Sequence, residues 1–463
     1  MAVPTSGWWD KLEAITVANP PLDHAAKPLS TSLPSLSLNH PVVVLPVLKA
    51  IFLLLVHIVS PVLTVVCFLF FLKCGYFIWL SLSALFATIV FFDDMFWRGV
   101  LGWNSIVRPG LYYAPTEFNT EISKQCKILS AQPRTTWWLP TGDLCTLIPF
   151  MMFNEKPVDY KRRWMSTADG EYVALDWSFP ATETANQVVL ILHGLNGGSS
   201  EIYVLNLVHA INNSGGVAVV LIARGLMRTP VRYSLFHGAR ICDVRRAVAT
   251  IRDVVGPDMF VGAVGFSMGA VILSNYVAQT GKDAGLDAAV SLGGCANTSA
   301  NMDFVRSRRL WQPFLVHELK KNFIFPYLHF LDGKGLDADR ALRAVDVIEF
   351  DSYVVVGLHD YRDIVDYYED MSFNCRGKLK GICVPHLVVQ AADDPIMHVD
   401  TTPVQSVQEN EHLMFWITRA GGHVGWPIGN RPWKHGFSYM TDVSLGYFDA
   451  IRAARAALTK PVS

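Results

Sequence analysis

Beyond residue 170 the chain carries a series of short apolar runs set apart by longer stretches of mixed character. Val188–Leu192 (VVLIL) and Val217–Ile222 (VAVVLI) contain no polar residue at all. A strand wet on one face alternates apolar and polar residues, so an unbroken run predicts a strand buried on both faces. Val173–Trp177, Val261–Val264, Ala288–Leu292, Leu387–Gln390 and Leu413–Ile417 read as further strands. The intervals carry helical stretches over Ile202–Asn212, Ala239–Val254, Ala270–Gln279 and Phe437–Leu458. Strands alternating with helices predict an α/β fold with a mostly parallel, doubly wound sheet. On such sheets ligands bind beyond the carboxyl ends of the strands.

The alternation fails between about 297 and 374. That interval mixes helix formers with aromatics such as Trp311, Phe323, Phe325, Tyr327, Tyr367 and Tyr368. Placed after the strand Ala288–Leu292, it predicts a helical cap whose aromatic lining suits an apolar substrate. Most of those rings are expected simply to pack the cap onto the sheet.

A different pattern governs the first hundred residues. Residues 1–41 are rich in Pro, Ser and Leu without a period, and are expected to be disordered or to lie on the surface. Residues 42–98 form an expected membrane anchor. Within it, Ile51–Leu72 holds 22 residues without Asp, Glu, Lys or Arg, flanked by Lys49 and Lys73. As a helix it would span about 33 Å, enough for the hydrocarbon core. A second uncharged run, 76–92, leaves two arrangements open: one span with an interfacial segment, or a helical hairpin. The hairpin would put Lys49, Arg98 and Arg108 on one side, which the positive-inside rule makes cytosolic; a single span would put the N-terminus opposite the folded domain. An endomembrane such as the endoplasmic reticulum is the expected location. Residues 99–165 read as an irregular lead-in, and 166–463 as the folded domain.

Composition supports this division. Mean hydropathy is +0.27 and charged residues make up only 17 %, with 39 basic against 40 acidic side chains. That near balance offers no basic patch for nucleic acid. The eight cysteines show no zinc-like spacing, so free thiols are expected, with a Cys375–Cys383 disulfide as the alternative.

The chemistry is expected in four loops that each follow a strand. Gly265-Phe266-Ser267-Met268-Gly269 is a Gly-x-Ser-x-Gly turn between strand and helix, which presents a serine hydroxyl on a sharp bend. His193-Gly194-Leu195 marks a loop able to supply one oxyanion donor, the Leu195 N–H, with Met268 N–H as the other. Asp393-Asp394-Pro395 and Gly421-Gly422-His423 follow later strands. The proline biases Asp394 toward an extended backbone at the strand exit, which favours it over Asp393 as the acid. The order Ser267, Asp394, His423 is that of hydrolases built on this fold.

With these motifs in place the chain resembles the membrane-anchored abhydrolase-domain family, which includes YheT-like esterases and eukaryotic phospholipase and acylglycerol lipase members. The resemblance runs from about Leu129 to Ile451. It includes Thr167-Ala168-Asp169-Gly170, Arg224-Gly225, Gly238-Ala239 leading to Asp243, and Phe266-Ser267-Met268-Gly269-Ala270. Where the family often has Gly-His-Leu-Gln-Thr, this chain has Gly142-Asp143-Leu144-Cys145-Thr146. The resemblance implies an α/β-hydrolase fold and serine-dependent cleavage of lipid esters at a bilayer, with no metal or organic cofactor. The alternatives are an acyltransferase on the same fold and a lipid- or hormone-binding membrane protein without turnover.

Overall fold

A computed structural model describes residues 2–20 and 105–459. The expected spans 51–72 and 76–92 lie outside the described residues. Among the described residues no helix is long and apolar enough to cross a membrane.

Nine strands form one sheet in the order β2-β11-β10-β9-β8-β6-β7-β4-β3. They are β2 (Gly110–Tyr113), β3 (Lys161–Ser166), β4 (Tyr172–Ser178), β6 (Val188–Leu192), β7 (Val217–Ile222), β8 (Val261–Phe266), β9 (Ala288–Leu292), β10 (His386–Ala391) and β11 (Leu413–Thr418). Strands β6 to β11 pair in parallel, whereas β2 joins one edge antiparallel, as β4 and β3 do the other. The unbroken apolar runs now have their cause. Val189, Ile191, Val220 and Val264 enter the core on one face, while Val188, Leu190, Val219 and Ala263 enter the core on the other. Successive side chains point to opposite faces, and both faces are covered by helices.

β8 lies between β6 and β9 although β7 precedes it in sequence. The strand order therefore reverses at β6 and β8, where a crevice opens beyond the strand ends. Ser267 follows β8 and His193 follows β6, so both stand at that crevice.

Two stretches depart from expectation, and a third, the expected helical insertion, is present. Residues 2–20 are ordered: β1 (Val3–Pro4) pairs with β5 (Thr184–Ala185), and the helix Trp8–Ile15 buries Trp8 and Leu12. Those two residues are four apart and share one helical face, which packs on the sheet beside Trp177. The lead-in 99–165 holds β2, β3 and the helices Glu117–Gln125 and Gly142–Met152. Edge strands escape the reading because only one of their sides is paired: β2 is half-buried throughout, and β3 begins with the charged run Lys161-Arg162-Arg163. The interval between β9 and β10 is a chain of short helices from Thr298–Asn301 to Ile364–Met371. Phe323, Tyr327, Phe350, Tyr367 and Tyr368 are buried in it, whereas Phe314 and Tyr353 are exposed.

Candidate active site

Ser267 joins β8 to the helix Met268–Thr280 and sits at φ 51°, ψ −115°. A side chain in that region is strained, and the bend is tolerated because its neighbours have no Cβ. A Cβ on Gly269 would stand 2.3 Å from the Leu192 carbonyl oxygen, and one on Gly265 would stand 2.5 Å from that of Gly269. The two glycines let the strand, the bend and the β6 loop touch.

Ser267 Oγ is 2.8 Å from His423 Nε2, and His423 Nδ1 is 2.8 Å from Asp394 Oδ2. A carboxylate only accepts, so Nδ1 carries the proton and Nε2 turns its lone pair to the serine hydroxyl. Asp394 is itself held by four donors. Its Oδ1 accepts from the Ile396 and Met397 N–H groups at 2.8 and 2.9 Å, and its Oδ2 accepts from Gln390 Nε2 at 2.9 Å as well as from His423. Asp394 and His423 are both buried, and Ser267 is half-exposed.

Asp393 turns the other way. Its Oδ1 accepts from the Gly421 and Gly422 N–H groups, each at 2.9 Å, and so fixes the backbone that carries His423. Burial pushes its carboxyl up to about 6, against the opposing pull of the Gly422 N–H. Of the two carboxylates, Asp394 is the one that contacts His423.

The Gly142–Met152 helix completes the support of the histidine loop. Thr146 Oγ1 accepts from the His423 N–H at 2.8 Å and donates to the Gly142 carbonyl at 2.7 Å. Gly422 sits at φ 63°, where a Cβ would meet the Gly142 carbonyl oxygen at 2.4 Å. Asp143 reaches away from the sheet, accepting from Trp311 Nε1 at 2.8 Å and pairing with Arg306 in the helical insertion. Thr146, Asp143 and Gln390 are functional candidates that the motifs did not single out. The first two lie in the segment where this chain departs from the family pattern; Gln390 has no local signal beyond ending an apolar run.

The β6 loop is clamped at both ends. His193 Nδ1 donates to the Gly194 carbonyl at 2.8 Å, and Nε2 accepts from the Ala223 N–H at 3.2 Å. Burial lowers the affinity of His193 for a second proton, so it stays neutral in that role. Gly194 N–H donates to the Tyr203 hydroxyl at 3.0 Å. At the far end Ser199 Oγ donates to the buried Asp176 at 2.5 Å, and the Ser199 carbonyl accepts from the Tyr160 hydroxyl at 2.9 Å. Among the described residues, the N–H groups of Leu195 and Met268 donate to no protein acceptor. Both residues also line a cleft under the helical insertion, with Phe236, Phe323, Phe350 and His237.

Residues 187–426 match the family described as alpha/beta hydrolase fold. The chain belongs to the α/β-hydrolase family. Phospholipase ABHD3 of Mus musculus is 26 % identical to this hydrolase over 356 residues, 74 % of this chain and 84 % of that protein. The putative esterase YheT of Escherichia coli is 27 % identical over 288 residues, covering 61 % and 83 %. The monoacylglycerol lipase of Saccharomyces cerevisiae is 29 % identical over 254 residues, covering 53 % and 56 %.

The sequence segments that carried the resemblance also meet in space. Arg224, fully buried, pairs with Asp243 at 2.5 Å and with Asp169 at 2.6 Å. They tie the β4, β7 and Cys242 segments together behind the site. The six cysteines within the described residues are free, Cys375 and Cys383 among them. Among the described residues no group of three or more His, Cys, Asp or Glu side chains is placed to hold a metal ion.

Proposed function

We propose that this hydrolase cleaves carboxylic esters of lipids through an acyl-enzyme on Ser267. The observation that carries the reading is the pair of 2.8 Å contacts running from Asp394 through His423 to Ser267, with the serine on its bend. Phospholipase, esterase and acylglycerol lipase relatives support the substrate class.

In this reading His423 Nε2 takes the hydroxyl proton as Ser267 Oγ bonds to the ester carbonyl carbon. Asp394 holds the ring and favours its charged form. The developing oxyanion is met by the N–H groups of Leu195 and Met268. A donor of this kind is worth about 100- to 1,000-fold in kcat. The C–O bond to the alcohol then breaks and His423 returns the proton to the leaving oxygen. Water attacks the acyl-enzyme by the same route in reverse, releasing the acid. The helical insertion acts as the cap over the acyl chain. The uncharged run 51–72 is read as the anchor that keeps the site at a bilayer.

The test is labelling by a fluorophosphonate probe, followed by a panel of lipid esters. Wild type is expected to label and turn over. Ser267→Ala is expected to do neither, with loss of at least about 10⁴-fold in kcat and an unchanged circular dichroism spectrum. Labelling that survives the substitution refutes the nucleophile. A folded wild type that never labels favours a binding protein without turnover.

A further inference from the structure

The Gly142–Met152 helix rests on the histidine loop, and its last three residues, with Trp137 just before the helix, are exposed. Trp137 is 77 % exposed, Phe150 71 %, Met151 68 % and Met152 52 %. Trp433, 44 % exposed, extends the same surface, since its ring lies 6.3 Å from that of Trp138. Trp138 is tied down by its Nε1 donating to the Asn430 carbonyl at 3.1 Å. Burying large apolar side chains normally stabilises a fold, so a set of them left exposed around one helix marks a contact surface.

The charges around it identify the occupant. Arg134, Lys156, Arg431 and Lys434 are exposed and flank the apolar residues in sequence. Among the described residues none of the four side chains has an acidic partner. Of the acidic groups nearest in sequence, Asp143 pairs with Arg306 and Glu155 accepts from the Asn206 amide. Tryptophan beside methionine and phenylalanine, ringed by unpaired cations, matches a headgroup region carrying net negative charge.

We propose that Trp137, Phe150, Met151, Met152 and Trp433 form a plane that inserts into the interfacial layer of an anionic bilayer. The inference rests on the lipid-esterase reading and deepens it by naming the surface that meets the substrate's own phase. The plane is one helix thick from the reacting groups, because the same helix supports His423 through Thr146. Docking it sets the mouth of the site at the headgroup level, independently of where residues 51–92 insert.

Full-length protein reconstituted into vesicles of phosphatidylcholine and phosphatidylserine tests this with two readouts. One is quenching of tryptophan fluorescence by brominated lipid, in wild type and in W137F/W433F. The emission lost on making the double substitution is expected to be strongly quenched. The other readout is the ratio of rates on a vesicle-borne long-chain ester and on dissolved p-nitrophenyl butyrate. F150S/M151S is expected to lower that ratio about tenfold while the butyrate rate stays put, since neither residue touches the reacting groups. R134E/R431E/K434E is expected to remove the advantage that phosphatidylserine gives. Unquenched Trp137 and Trp433 emission overturns the proposal, as does an equal fall on both substrates; either result means that water, or the chain's own apolar segment, occupies the surface. A wild type inactive on both esters refutes the esterase reading and leaves the quenching arm to decide the docking plane.

Discussion

The strand-end loops and the helical insertion face each other across the cleft, and they are built by different means. The loops are short and pinned by many directed bonds. Asp394 alone receives four, and the N–H groups of Gly421, Gly422 and His423 are each taken by a named side chain. The insertion is a chain of short helices whose starts are fixed locally. Asn297, Asp337, Asp346 and Asp363 each cap the helix that follows. Pinned loops at the strand ends hold reacting groups in one geometry. Short capped helices hold a wall in place yet leave its fine shape to side-chain packing. In the proposed function the reaction belongs to the first region and the choice of acyl chain to the second.

The largest expected effect separates two neighbouring carboxylates within the loops. Asp394→Asn leaves the wrong tautomer on His423 and should lower kcat by about 10⁴-fold. Asp393→Asn keeps an oxygen for the Gly421 and Gly422 N–H groups and should stay within about tenfold of wild type. Equal losses in steady-state assays of the two variants would erase the division of labour between them.

The tie from the Gly142–Met152 helix to the insertion is the next place to press. Asp143→Ala takes an acidic partner from the buried Arg306, and breaking such a pair costs about 3–5 kcal/mol. Denaturant titration measures that cost. Because Asp143 touches the insertion and no reacting atom, KM should rise more than kcat falls.

Thr146→Val tests the loops from below. It strips the acceptor from the His423 N–H, a buried donor whose loss of a partner is worth about 1–3 kcal/mol. A fall in kcat of about tenfold with little change in KM is expected. A change confined to KM would place Thr146 on the substrate side instead.

The smallest effect near neutral pH is the titration of one buried histidine. His386 begins β10, fully buried against Ser291 Oγ at 3.0 Å, and burial lowers its pKa to about 3. The unfolded chain binds that proton near 6.5, so protons favour unfolding between those values. Stability is complete above about 6.5 and declines as pH falls toward 3. His386→Gln removes this group, so its melting temperature should fall less steeply over that interval than that of wild type. Parallel slopes would assign the acid limb to other groups.

Much of this hydrolase is determined locally. Short unbroken apolar runs of five or six residues fit strands buried on both faces, because a water-facing side would call for polar residues at every second position. The Gly-x-Ser-x-Gly bend follows from sterics, since a Cβ on Gly269 would collide with the end of β6 and one on Gly265 with the start of the helix after Ser267. Proline after Asp394 separates it from Asp393 through its effect on the preceding backbone. What the sequence left undecided depends on contacts between distant residues. Edge strands β2 and β3 lack a pattern of their own and are defined by their partners. The helix Trp8–Ile15 is ordered by docking on strands more than 150 residues away, a burial that no short window reveals. Thr146 carries no local mark of its hydrogen bond to a residue 277 positions on, and neither does Asp143 of its pairing with Arg306. Local sterics and hydrophobic periodicity act over a few residues and can be read along the chain. Support for a reacting group comes from whatever the fold brings beside it, and that is settled only when the sheet has closed.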